Sequence, residues 1–140
     1  MHVFVYGSLM YDPVWGSVVQ GAYQNLSAVA ANHRRHAVIG ETYPAMVPAA
    51  GHSVHGLLWL DVASEDIHRL DVFEGAEYTR SAIEVLGADG QTWQAHTYLW
   101  NRPDQLPDSD WSVAEFERTG LTKFLDRHVR NWQATGQRKQ

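Results

Sequence analysis

Val3-Phe4-Val5-Tyr6-Gly7-Ser8-Leu9 opens the chain with apolar or aromatic residues on both alternating faces, then a glycine and a serine. A strand buried on both sides reads this way, and Gly7 stops it in a tight turn. Such a turn exposes successive backbone amides, and glycine allows them to converge on an anion. Tyr6, Gly7, Ser8 and Leu9 therefore form a candidate cradle for a carboxylate or an oxyanion. It is not a phosphate loop, because the lysine and the wider glycine spacing are missing. Nor is it a nucleophile elbow, since no glycine stands two residues after Ser8.

Working outward, Asp12-Pro13 reads as a helix start, Asp12 capping and Pro13 in the first turn, for a short helix over Val14 to Gln20 that ends at Gly21. Ala28 to Ile39 and Val54 to Leu60 read as strands. Between them Tyr43 to Pro48 carries two prolines and is expected to be extended and irregular. Ser64, followed by Glu65 and Asp66, reads as a hydroxyl cap with two acids in the positive first turn of a helix that stops at Gly75. Tyr78 to Leu86 and Thr92 to Trp100 should pair antiparallel around Gly87-Ala88-Asp89-Gly90. Asn101 to Asp110 reads as an exposed loop. Ser112-x-x-Glu115 is a capping box, with Trp111 and Phe116 placed as its hydrophobic staple. Phe116, Leu121, Phe124, Leu125 and His128 then share one helical face. The expected architecture is α+β: a mixed sheet of about five or six strands, able to close into a small β-barrel, with two or three flanking helices. One domain is expected over 1–132, with a polar, frayed tail over 133–140.

Composition narrows the function classes. The 140 residues, 44% hydrophobic, suit one core. A formal net charge of −5 argues against general affinity for nucleic acid or anionic membranes, so the expected partner is a small molecule. With no cysteine there is no disulfide, thiolate nucleophile or cysteine metal site. No leader-like segment or run of ~20 apolar residues is seen, and a cytoplasmic location is expected.

Among the candidate residues Glu74 is the most informative. In a helix from Ser64 to Gly75 it falls at i+7 from Ile67 and i+4 from Leu70, on the apolar stripe. Burial there, and the negative end of the helix dipole, would raise its pKa toward neutrality, as a general acid–base requires. Pairing with Arg80, or capping of backbone amides, would account for its presence equally well. Asp71 falls toward another face and Glu77 in a loop. Tyr78 and Tyr98 could reach the reacting centre if they face the same cavity. The histidine pairs His33/His36 and His52/His55 would point to opposite faces of a strand, so no metal site is expected. His33-Arg34-Arg35-His36 reads as a solvated face or an anion contact.

Taken together, Val3 to Leu9, Tyr43-Pro44-Ala45-Met46-Val47-Pro48, Val54-His55-Gly56-Leu57-Leu58, and Leu70-Asp71-Val72-Phe73-Glu74-Gly75-Ala76-Glu77-Tyr78-Thr79-Arg80 resemble the γ-glutamylcyclotransferase superfamily. The likeness is greatest to its plant avirulence-induced-gene branch. The resemblance covers residues 1 to about 100 and implies a small mixed barrel with flanking helices. It implies further that Glu74 is the acid–base residue, that the Tyr6–Leu9 loop holds the substrate, and that Tyr78 matches the aromatic position after the catalytic motif. The implied reaction is closure of a γ-glutamyl amide to 5-oxoproline, without a cofactor. The alternatives are a catalytically silent metabolite-binding protein and a serine hydrolase using Ser8. Arg34, Arg35, Tyr43, Met46, Tyr98 and Trp100 are candidates for the pocket rim.

Overall fold

A computed structural model describes residues 1–129, so the tail expected over 133–140 and the boundary at 132 lie outside the described residues. Five strands, β1 (Val3–Val5), β2 (Asn25–Ala37), β3 (Pro44–Trp59), β4 (Tyr78–Gly87) and β5 (Thr92–Trp100), close a barrel in the order β1-β3-β2-β4-β5. Val3 meets His96 of β5 in parallel, whereas the β1–β3, β3–β2, β2–β4 and β4–β5 pairs run antiparallel. The small mixed barrel expected from the sequence is present.

Alternation along β1 explains why it is apolar on both faces. Phe4 points into the barrel with Met46, Val54, Leu58 and Val85, while Val3 and Val5 point outward beneath the helices. There they meet Leu9, Val14, Trp15, Ile67, Leu70 and Phe124. Each face of this one short strand thus belongs to a different core.

The expectation for Tyr43 to Pro48 is corrected. Pro44 begins β3, and Pro44 to Pro48 pair residue by residue with Ala37 to His33 of β2. β1 reaches β3 only at Leu57 to Trp59, so the first half of β3 has an open side where a missing N–H costs no ladder bond.

Helix α1 (Asp12–Val18) and helix α2 (Ser64–Glu74) begin at the residues expected to cap them, so each N-cap falls one residue earlier than expected. Tyr11 is the first N-cap; its ring packs on Phe116 at 5.3 Å and its hydroxyl bonds Glu117, so the chain turns there and Asp12 enters the first turn. Ala63 is the second, because Val62 is bound to the Met1 carbonyl at 2.8 Å and the chain turns immediately after it. Neither cap uses a side chain. α1 also ends at Val18, and Gln20 and Gly21 instead give their amides to Asp66 of α2, both at 2.9 Å. Gly75 ends α2 as expected, with φ at +79°.

The last described stretch is one run containing α3 (Val113–Glu115) and α4 (Leu121–Phe124), with wider π-type turns over Phe116–Gly120 and Leu125–Val129. Ser112 caps it through a 3.1 Å bond from the Glu115 amide, and Trp111 packs on Phe116 at 5.1 Å. The other half of the expected capping box is absent, because the Glu115 carboxylate is taken by Arg118. The loop before it is largely exposed, yet its Asp108 and Asp110 are tied to Arg34 at 2.6 and 2.8 Å. No helix among the described residues is long and apolar enough to cross a membrane.

Candidate active site

A cavity of about 320 Å³ opens where β1 ends and α2 stops. Tyr6, Gly7, Ser8, Leu9, Glu74, Tyr78 and Tyr98, which the sequence singles out, all line it. Phe73, Glu77, Tyr43, Pro44, Phe124 and His128 complete most of the wall.

Glu74 reaches the cavity because the helical period carries it onto the stripe of Ile67 and Leu70, both buried. The pairing with Arg80 that would have neutralised it is absent. Arg80 donates instead to Asp71 Oδ1 at 2.9 Å and lies 3.1 Å from His96 Nδ1. No group among the described residues hydrogen-bonds the Glu74 carboxyl, and burial raises its pKa to about 8.

Facing it is the Tyr6–Leu9 loop. Met10 and Tyr11 donate back to the carbonyls of Gly7 and Ser8 at 3.0 and 3.1 Å, closing a single 3₁₀ turn over Ser8–Met10. Its leading amides, those of Gly7, Ser8 and Leu9, have no acceptor among the described residues, since the first amides of a helical turn find none within it. Only glycine fits at position 7: a Cβ there would stand 2.7 Å from both Cδ and Cγ of Pro44.

The three tyrosines are braced from behind. Tyr6 donates its hydroxyl to the Tyr98 carbonyl at 2.6 Å, Tyr78 to the Pro44 carbonyl at 2.7 Å, and Tyr98 to Asp71 Oδ1 at 2.7 Å. Burial pushes all three phenols up, so they stay protonated. They offer the cavity rigid ring faces, while their hydroxyls hold the wall together.

The expected rim is partly corrected. Tyr43 and Tyr98 line the cavity, but Met46 is fully buried inside the barrel. Arg34 is held by the two aspartates, and Trp100 donates to the Arg102 carbonyl at 3.1 Å. Arg35 donates to the carbonyls of Tyr6 and His55 and lies 5.1 Å over the Trp111 ring. The basic run therefore makes no contact with the cavity: Arg34 sits in an exposed cluster with Asp108 and Asp110, and Arg35 is turned onto backbone carbonyls. Its surroundings come from segments remote in sequence.

Several wall residues were not anticipated. Phe124 and His128 had a signal, the helical face they share with Phe116, but nothing in the sequence says that this face meets α2. Glu77, set aside as a loop carboxylate, lines the edge. Asp71, set aside as facing elsewhere, anchors Tyr98. The histidine pairs lie apart from the cavity, with His33 on the Ala31 carbonyl and His36 on that of Pro107.

A five-stranded mixed barrel with such a cavity is the architecture that the sequence resemblance implies. Residues 3–113 match the model of the family described as gamma-glutamyl cyclotransferase, AIG2-like, and the chain belongs to that family. Among its relatives in Arabidopsis thaliana, AIG2-like protein D is 35% identical over 130 residues, covering 89% of this chain and 85% of that one. AIG2-like protein A is 31% identical, covering 89% and 77%. The solution structure of one Arabidopsis thaliana protein superposes with a TM-score of 0.73 at 26% identity, covering 99% of this chain and 87% of that one. A structure named gamma-glutamyl cyclotransferase shares the fold, with a TM-score of 0.63 at 14% identity over 92% of this chain and 85% of that one.

Proposed function

We propose that this chain is a γ-glutamylcyclotransferase that closes a γ-glutamyl amide or peptide to 5-oxoproline and releases an amine or amino acid. The observation that carries the reading is the Glu74 carboxyl, which has no partner among the described residues, in a cavity bordered by the free amides of Gly7, Ser8 and Leu9. A catalytic carboxyl with a pKa of about 8 can both take and return a proton near neutrality.

The substrate carries its own nucleophile. Its α-amine lies at the distance that closes a five-membered ring on the γ-carbonyl, so the protein has to fold it and move protons. Ionised Glu74 takes a proton from the α-ammonium. The freed amine forms the new C–N bond at the γ-carbon, and the developing oxyanion or the α-carboxylate is held by the loop amides. Protonated Glu74 then gives its proton to the leaving nitrogen as the old C–N bond breaks. The carboxylate so regenerated takes the second proton from the ring nitrogen and passes it to the released amine, leaving a neutral lactam and an ammonium. The rings of Tyr6, Tyr78 and Tyr98 keep the substrate folded and water away. This chemistry uses no cofactor and no metal, and suits a cytoplasmic enzyme.

The test is release of 5-oxoproline from a panel of γ-glutamyl amino acids, peptides and amines, with wild type and Glu74→Gln compared at matched folding. Turnover by the wild type and a loss of about 10²- to 10⁴-fold in the variant are expected. Silence across the panel would favour a metabolite-binding protein instead.

A further inference from the structure

We infer that Arg35 is a positioning residue for the substrate cradle, acting from outside the cavity through the Tyr6–Gly7 peptide bond. The inference rests on the cyclotransferase reading above. Arg35 is not part of the cavity wall. Its Nη1 donates to the Tyr6 carbonyl at 2.7 Å and to the His55 carbonyl at 3.1 Å.

The Tyr6 carbonyl and the Gly7 N–H belong to one planar unit, and in a trans peptide they point in opposite directions. A guanidinium fixed on the carbonyl therefore aims the Gly7 N–H away from itself. Gly7 lines the cavity, and its amide has no acceptor among the described residues. A charge-assisted bond at one end of a peptide also polarises the donor at the other. Arg35 thus does two things at a distance: it sets the direction of one cradle amide and strengthens it toward a negative oxygen.

The location explains why an arginine is needed. β1 pairs with β3 as far as Val5 opposite Leu57, and beyond that point the Tyr6 carbonyl has left the ladder. Arg35 supplies the donor that the next ladder position would have supplied, and bridges to His55 so that loop and barrel stay in register. The guanidinium is itself fixed, lying 5.1 Å over the Trp111 ring, which donates its indole N–H to the Thr42 carbonyl at 2.8 Å. A lysine ammonium could donate to both carbonyls, as the single Nη1 does, but it has no planar face to stack on the indole ring.

The experiment compares wild type, Arg35→Lys and Arg35→Met in three readouts: 5-oxoproline release, affinity for added 5-oxoproline, and the Gly7 amide resonance in a ¹⁵N–¹H spectrum. The expected result is a Gly7 amide proton shifted upfield in both variants. A loss of kcat/KM of about tenfold or more should accompany it, greater in Met than in Lys, with the acid–base pKa of the profile unmoved. A merely structural role would lower the melting temperature and leave the Gly7 resonance of the folded protein in place. Folded variants with kcat/KM within twofold of wild type, or with an unmoved Gly7 resonance, would overturn the inference. Should the wild type itself lack turnover, the cyclotransferase reading fails alone; the Gly7 resonance and the affinity for 5-oxoproline then decide the role of Arg35.

Discussion

Arg80 is bound to Asp71, Nε to Oδ1 at 2.9 Å, and this leaves Glu74, three residues further along the same helix, without a counter-charge among the described residues. The consequence is a stability that depends on pH in an unusual direction. Burial raises the Glu74 pKa from 4.5 to about 8. Between those values the unfolded chain has released this proton and the folded chain has kept it, so stability falls as pH rises through that window. At about 1.4 kcal/mol per pKa unit, the full effect is roughly 3 to 5 kcal/mol. Melting temperatures of wild type and Glu74→Gln should be similar at pH 4 to 5 and diverge toward pH 9, with the variant the more stable. Parallel curves across the range would mean that the carboxyl is not desolvated.

Ser8 is buried in the loop, and the residues after it do not form an elbow. No histidine among the described residues bonds its hydroxyl, so the serine–histidine pair that such a hydrolase needs is not assembled. Ser8→Ala should keep 5-oxoproline release within about tenfold of wild type, and a fluorophosphonate probe should leave residue 8 unlabelled in mass spectra. Stoichiometric labelling of Ser8 would revive the hydrolase alternative.

Legibility in the sequence followed the range of the interactions. Strands such as Thr92–Trp100 and the placing of Glu74 on a buried stripe rest on local periodicity, and they were readable. Tyr43 to Pro48 was misread because two prolines signal irregular backbone, while the pairing that makes it a strand comes from His33 to Ala37 across a turn. Asp71 was set aside on helical geometry that is sound by itself; its partners Tyr98 and Arg80 sit on β5 and β4. Arg35 looked like a surface or anion-binding charge because the carbonyls it serves, at Tyr6 and His55, are 29 and 20 residues away.

Tyr78 lines the cavity, but its hydroxyl is committed to the Pro44 carbonyl at 2.7 Å. Tyr78→Phe keeps the ring against the substrate and removes that bond, leaving a carbonyl unsatisfied. A stability loss of about 1 to 2 kcal/mol is expected by chemical denaturation. The loss in kcat should be at least tenfold smaller than for Glu74→Gln, since the hydroxyl is held in the wall. Equal losses in the two variants would assign the phenol a direct part in proton transfer.

Gly7 tests the cradle from the opposite side. Pro44 occupies the space that a side chain at position 7 would need, with Cδ and Cγ each 2.7 Å from the added Cβ. The proline ring cannot swing away, because it begins β3 and its carbonyl holds Tyr78. The loop must therefore yield, and its amides move relative to Glu74. Gly7→Ala should cost about 1 to 3 kcal/mol of stability, as overpacked sites do. It should lower kcat/KM more than tenfold, because displacing positioning groups by about 1 Å can cost a hundredfold. Pairing it with Pro44→Ala separates the two effects. Relief of the clash should restore most of the stability and much of the activity in the double variant, as coupled neighbours require. Activity that stays low once stability has returned would mean that Pro44 shapes the cavity in its own right.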